Sequence, residues 1–170
     1  MGLTGIGRLV AREMKPERCA TVAKLAPARF AGLRPSSSRA SFLASRSSRK
    51  AGTACELQLA HALRTQGFRF SRNLSSLPGC PDLVFRRARV VVFVDGDFWH
   101  GRNWGERRAK LSRGHNSDYW IRKITSNVAR DRRIRRQLNA LGWRVLRVWE
   151  CDVKSDLDRV VRRIARSVSW

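Results

Sequence analysis

Five consecutive residues, Val90-Val91-Val92-Phe93-Val94, are β-branched or aromatic, and no polar side chain interrupts them. A strand with one wet face alternates apolar and polar, so an unbroken run of this kind needs cover on both faces. The segment demands a sheet with helices on each side. It stops at Asp95-Gly96, so polar groups emerge abruptly at one end of a buried strand.

The flanking residues supply the rest of such a fold. Cys55, Leu59, Ala62, Leu63 and Gln66 recur at helical spacing before Gly67, which predicts a first helix from Ala54. Phe68–Phe70 reads as a short strand, and the Pro78-Gly79-Cys80-Pro81 turn delivers Asp82 onto a strand at Leu83–Phe85. Residues 101–117 show little periodicity and read as a long surface loop. A helix capped by Ser117 or Asp118 follows, with Trp120, Ile124, Val128, Leu138 and Leu141 as its apolar positions and Gly142 as its stop. Trp143–Trp149 is a strand. Ser155 then caps a last helix whose apolar face is Leu157, Val160, Val161, Ile164 and Val168. The expected class is α/β, a single mixed sheet with helices on its faces.

At 170 residues the chain has room for one compact domain and a tail. Residues 1–50 are basic and rich in Ala and Ser, and read as a flexible arm, or as a leader resembling a transit peptide, ahead of a domain at 51–170. Thirty-six Lys and Arg against thirteen Asp and Glu give a formal charge of +23, which favours a polyanionic partner. A hydrophobic fraction of 42 % excludes a wholly disordered basic protein, and no apolar window is long enough to span a bilayer. Four widely spaced cysteines without a CxxC pair fit a reducing compartment.

Acids and a histidine gather at the predicted strand ends: Asp82, then Asp95, Asp97 and His100. Hard divalent cations need clustered carboxylate oxygens, and phosphodiester hydrolysis uses such cations to activate water. The plainer alternative makes Asp82 and Asp95 turn residues and His100 a solvated loop histidine. Glu56 falls in the first turn of the first helix, where dipole compensation alone explains an acid. Phe98-Trp99 is either folded-back core or a wedge for unstacking base steps. Arg130, Arg132, Arg133, Arg135 and Arg136 crowd the long helix and suit phosphate contacts, with Asp131 on its apolar side as a buried partner for an arginine.

Read together, Leu77–Phe85 (LPGCPDLVF), Val92–Gly101 (VFVDGDFWHG), Tyr119-Trp120 to Lys123-Ile124, Asn127–Arg133 (NVARDRR) and Leu141–Cys151 (LGWRVLRVWEC) resemble the very short patch repair endonucleases, which nick DNA beside T:G mismatches. The resemblance spans about Ser45 to Asp152. It implies a restriction-endonuclease-like fold of the PD-(D/E)XK type and Mg²⁺-dependent nicking of double-stranded DNA. Asp82 is implied as catalytic metal ligand, the Val94 carbonyl as a second ligand, and His100 and Glu56 as active-centre residues. Phe98 and Trp99 are implied as the intercalating pair. Arg46, Arg49 and Lys50 of the basic arm, with Arg130 and Arg133, are the expected phosphate contacts.

Two departures stand out. Asp95 occupies the place of a second active-site histidine, where an acid serves as metal ligand or proton acceptor. Of the family's structural zinc ligands only Cys151 remains, because Asp97, Arg102 and Trp104 fill the other positions, and Arg and Trp do not ligate zinc. No zinc is therefore expected. The implied setting is bacterial, cytoplasmic and nucleoid-associated, with a monomeric enzyme and mismatch-repair proteins or a cytosine methyltransferase as associates. The alternatives are a related nuclease of a mobile element or restriction system, a non-catalytic basic DNA-binding protein, and an organelle-targeted or ribosome-associated one.

Overall fold

The computed structural model describes residues 52–168; the expected basic arm, with Arg46, Arg49 and Lys50, lies outside the described residues. The chain builds the expected α/β arrangement, a mixed four-stranded sheet with helices on both faces. Helix α1 spans Ala54–Thr65 and is followed by β1 (Ser71–Arg72), β2 (Leu83–Phe85) and β3 (Val90–Asp95). Helices α2 (Trp104–Leu111) and α3 (Ser117–Ala140) then cross to β4 (Arg144–Trp149), and α4 (Glu150–Ser155) and α5 (Leu157–Val168) complete the domain. Strand order is β1-β2-β3-β4, antiparallel up to β3 and parallel between β3 and β4.

The unbroken apolar run is β3, and alternation sorts its side chains to opposite sides. Val90 and Val92 join Leu83, Phe85 and Val148 in a core roofed by Leu59 and Leu63 of α1, Val153 of α4, and Val160, Val161 and Ile164 of α5. Val91 and Phe93 join Val84 in a second core closed by Leu138 and Ile134 of α3. Val90, Val91 and Val92 are all fully buried, each worth about 1.5–3 kcal/mol of apolar burial. Both layers must be present for the strand to be dry.

Four local expectations are corrected. Phe68 and Phe70 do not form a strand: they pack against the first core, and pairing begins at Ser71, opposite Val84. The 101–117 segment is not all loop, because α2 occupies Trp104–Leu111. None of its residues is buried, so it has no apolar stripe to reveal it in sequence. Neither Ser117 nor Asp118 caps the long helix; Asn116, at φ 56°, takes that position. Nor does Ser155 cap the last helix. It ends α4, and Asp156 accepts the Arg159 N–H at 2.9 Å to start α5.

The turn that feeds β2 is tightly held. Gly79 has φ +77°, and a Cβ there would lie 2.7 Å from Ile134 Cγ2 on α3. Gly79→Ala combines a left-handed backbone with a clash, so it should cost about 2 kcal/mol and lower Tm by several degrees in thermal unfolding.

Candidate active site

Helix α1 opens with a capping box: Glu56 accepts from Gly52 N (2.7 Å) and Thr53 Oγ1 (3.0 Å), while Thr53 Oγ1 accepts from Glu56 N. Glu56 is only 4 % exposed and is engaged through both oxygens, so this acid of the expected site is part of the helix start. Its charge still reaches Asp82. The Asp82 Oδ2 accepts the Val94 backbone N–H at 2.7 Å, which ties the residue before β2 to the end of β3. Burial, reinforced by the Glu56 and Asp95 carboxylates, pushes Asp82 up to about 6 against the opposing Val94 hydrogen bond and His100. Among the described residues, Asp82 has no ion-pair partner.

The other acids are neutralised. Asp95 and Asp131 are both buried, and Arg147 of β4 lies between them. Arg147 engages Asp95 through two nitrogens: Nε meets Oδ2, and Nη2 meets Oδ1 at 2.5 Å. The same Nη2 lies 3.1 Å from Asp131 Oδ2. His100 Nδ1 is 2.6 Å from that oxygen and 3.6 Å from Asp95 Oδ1. Burial opposes ionisation of Asp131, yet the hydrogen bond from His100 and the Arg147 charge hold its carboxyl below the usual range. An ionised Asp131 can only accept, so it takes the Nδ1–H of His100 and leaves Nε2 as the ring's acceptor.

Next to this group stands an aromatic cluster. Phe98 and Trp99 meet edge to face at 5.1 Å between centroids, and Trp120 of α3 packs on both, at 5.5 and 5.9 Å. Arg107 of α2 lies over the Phe98 ring at 5.6 Å, and Asn127 Nδ2 donates to Trp99 O at 3.0 Å. The pair is neither fully buried nor free-standing, since all three rings are half-buried. Trp120 looked like one more apolar helix position in sequence. Ile124 at i+4 continues the helical spacing and hides its packing on Phe98 and Trp99.

Asp97, Arg102 and Cys151 come together and engage each other. Arg102 Nη1 contacts Cys151 Sγ, Asp97 Oδ1 (3.2 Å) and Asp152 Oδ1 (3.0 Å), and its guanidinium lies 5.7 Å from the Trp149 ring centroid. Cys151 N donates to Asp97 Oδ2 at 3.0 Å. Despite burial, the hydrogen bonds from the Cys151 thiol (2.7 Å to Oδ1), from Arg102 and from Cys151 N keep Asp97 below the usual carboxylate range. A guanidinium therefore cross-links the turn after β3 to the start of α4. Arg130 and Arg133 are exposed on α3, with Arg130 also 3.3 Å from Asp131 Oδ1.

A mixed sheet with acids at its strand ends is compatible with many chemistries, and comparison with known proteins makes the class definite. A family model described as DNA mismatch endonuclease Vsr matches residues 35–106. The type II nicking enzyme V.NmeDIP of Neisseria meningitidis serogroup C is 38 % identical over 122 residues, covering 72 % of this chain and 81 % of that protein. The type II nicking enzyme V.XorIIP of Xanthomonas oryzae pv. oryzae is 42 % identical, covering 68 % and 82 %. DNA mismatch endonuclease Vsr of Escherichia coli K12 is 43 % identical over 102 residues, covering 60 % and 64 %. The protein is a DNA endonuclease. It belongs to the DNA mismatch endonuclease Vsr family, which implies a metal-dependent nuclease acting on DNA. Among the described residues no helix is long and apolar enough to cross a membrane.

Two outcomes follow from this geometry. Asp82 has a folded pKa of about 6 against 3.8 ordinarily, so its contribution to stability is complete below pH 3.8 and is lost as pH rises through 6. In EDTA at pH 8, Asp82→Asn should raise stability by roughly 2–3 kcal/mol, a gain that vanishes by about pH 4 in thermal unfolding. With the Arg102 cross-link in place, elemental analysis of purified protein should find zinc well below one equivalent.

Proposed function

We propose that this protein is a Mg²⁺-dependent endonuclease that nicks one strand at or near a T:G mismatch, on a restriction-endonuclease-like core of the PD-(D/E)XK type. The observation that carries it is Asp82: a largely buried carboxylate without an ion-pair partner among the described residues, tied to the end of β3 and within electrostatic reach of Glu56 and Asp95. Such a group is stabilised by a cation. Mg²⁺ needs only one or two protein carboxylates and keeps waters for the rest. Asp82 and the Val94 carbonyl would hold the ion. Bound there, it supplies charge neutralisation at the scissile phosphate and a more acidic water.

The remaining work falls to side chains. His100 Nε2 accepts a proton from the attacking water, while Asp131 holds Nδ1–H and steadies the imidazolium. Glu56 contributes charge at a distance. Phe98, Trp99 and Trp120 form the wedge, and a mismatched step, weaker to unstack than a paired one, admits it at lower cost. Arg130 and Arg133, together with Arg46, Arg49 and Lys50, bind backbone phosphates without reading sequence. The acting form is a monomer on double-stranded DNA in the bacterial nucleoid, with mismatch-repair proteins or a cytosine methyltransferase as functional associates. The relatives named type II nicking enzymes favour a single-strand cut, and keep open a restriction-linked target in place of the mismatch.

A labelled duplex with one T:G mismatch tests this directly. Wild type should nick it with Mg²⁺ and not with EDTA, and Asp82→Ala should be slower by at least about 100-fold. Equal cutting of matched DNA would move the target to a restriction-linked site. Binding without cleavage would overturn the proposed chemistry.

A further inference from the structure

Arg147 has no role in the chemistry above, yet one of its nitrogens lies at the centre of the site. Nη2 is 2.5 Å from Asp95 Oδ1, 3.1 Å from Asp131 Oδ2 and 3.2 Å from His100 Nδ1, while Nε takes the other Asp95 oxygen. The guanidinium is also stacked over the Phe93 ring at 5.4 Å, which fixes its plane from beneath. Both carboxylates are strongly shielded from solvent, with side-chain exposures of 3 % for Asp95 and 11 % for Asp131.

We infer that Arg147 is a positioning residue: it takes the Asp95 carboxylate into an internal ion pair, so that His100 is aligned by Asp131 alone and Asp95 is a counter-charge rather than a metal ligand. The reason is a competition between acceptors. His100 Nδ1 faces Asp131 Oδ2 at 2.6 Å and Asp95 Oδ1 at 3.6 Å, two acceptors only about an ångström apart in reach. With both Asp95 oxygens bound by Arg147, the single Nδ1 proton has one strong destination. Without Arg147, Asp95 becomes a buried, unpaired carboxylate that draws the imidazole away from Asp131 and turns Nε2 off its line. Lys at 147 cannot reproduce this, because an ammonium lacks the planar fork that grips both oxygens of one carboxylate and reaches a second.

Asp95 and Arg147 should then be dispensable together but not separately. A buried ion pair replaced whole by apolar residues is often tolerated, whereas removal of one partner leaves a naked charge. Because this presupposes the nuclease site proposed above, the test pairs cleavage with a readout that needs none. Wild type, Arg147→Lys, Arg147→Met and Asp95→Leu/Arg147→Met are compared in single-turnover nicking of the T:G duplex at saturating protein, in DNA affinity, and by ¹⁵N-resolved NMR of the histidine rings.

Arg147→Met should lose about 100-fold in rate, the scale of misplaced acid–base catalysis, with DNA affinity within about threefold. Arg147→Lys should recover only part. The double variant should return to within about tenfold of wild type and regain the hydrogen-bonded Nδ1–H signal of His100 that the single variant lacks. A double variant as inactive as Arg147→Met would overturn the inference and make Asp95 a participant in its own right, as would an Nδ1–H signal unchanged in Arg147→Met. Should Arg147→Met fail to fold, the double variant against wild type still decides. Should wild type not nick at all, the proposed function fails while the ring spectra still test the alignment.

Discussion

Everything polar in this site hangs from the end of a strand that is dry on both faces. Strand β3 is sandwiched between the α1/α4/α5 layer and α3, so it cannot shift register without burying a charge or exposing a valine. Its last residues inherit that rigidity. Val94 presents its N–H to Asp82, Asp95 reaches toward β4, and the turn to His100 starts from a fixed point. Parallel pairing with β4 brings Arg147 opposite Phe93, on the side where α3 supplies Asp131.

Four acids lie close together in a chain of +23, and the fold treats each differently. Glu56 is satisfied by the donors of a helix start, and Asp95 by a bidentate guanidinium. Asp131 is shared between His100 and Arg147. Asp82 receives a backbone N–H and is left with the burden of burial, which is why its proton affinity rises while that of Asp131 falls. Differential pairing of chemically similar groups separates the proposed cation seat at Asp82 from the paired acids around His100. A parallel economy holds the neighbouring turn, where Arg102 joins Asp97, Cys151 and Asp152.

Much of the fold was legible because it is written in periodicity. The continuous run of β3, the helical spacing of α1 and the apolar face of α5 each point to one structure. Helix α2 was not legible, since its Trp-Gly-Glu-Arg-Arg sequence has no buried stripe and it is held by contacts with α3 and the Arg107–Phe98 stack. The break at Asp156 was concealed by apolar residues continuing in helical phase on both sides. Of the candidate site residues, Asp95 and His100 come within 3.6 Å of each other, and Asp82 feels the charge of both. Trp120 and Arg147 were hidden, one inside a helix pattern and the other inside a strand.

The sequence by itself determined that a dry central strand must end in acids and an aromatic pair, because hydrophobic alternation and its abrupt end are local properties of the chain. Tertiary structure alone decided which charge meets which. Asp131 and Arg147 lie 31 and 47 residues from His100 and reach it only when α3 and β4 are laid beside β3. Electrostatic interaction falls with distance in space and takes no account of separation along the chain, so pairing among these groups exists only once the layers have closed.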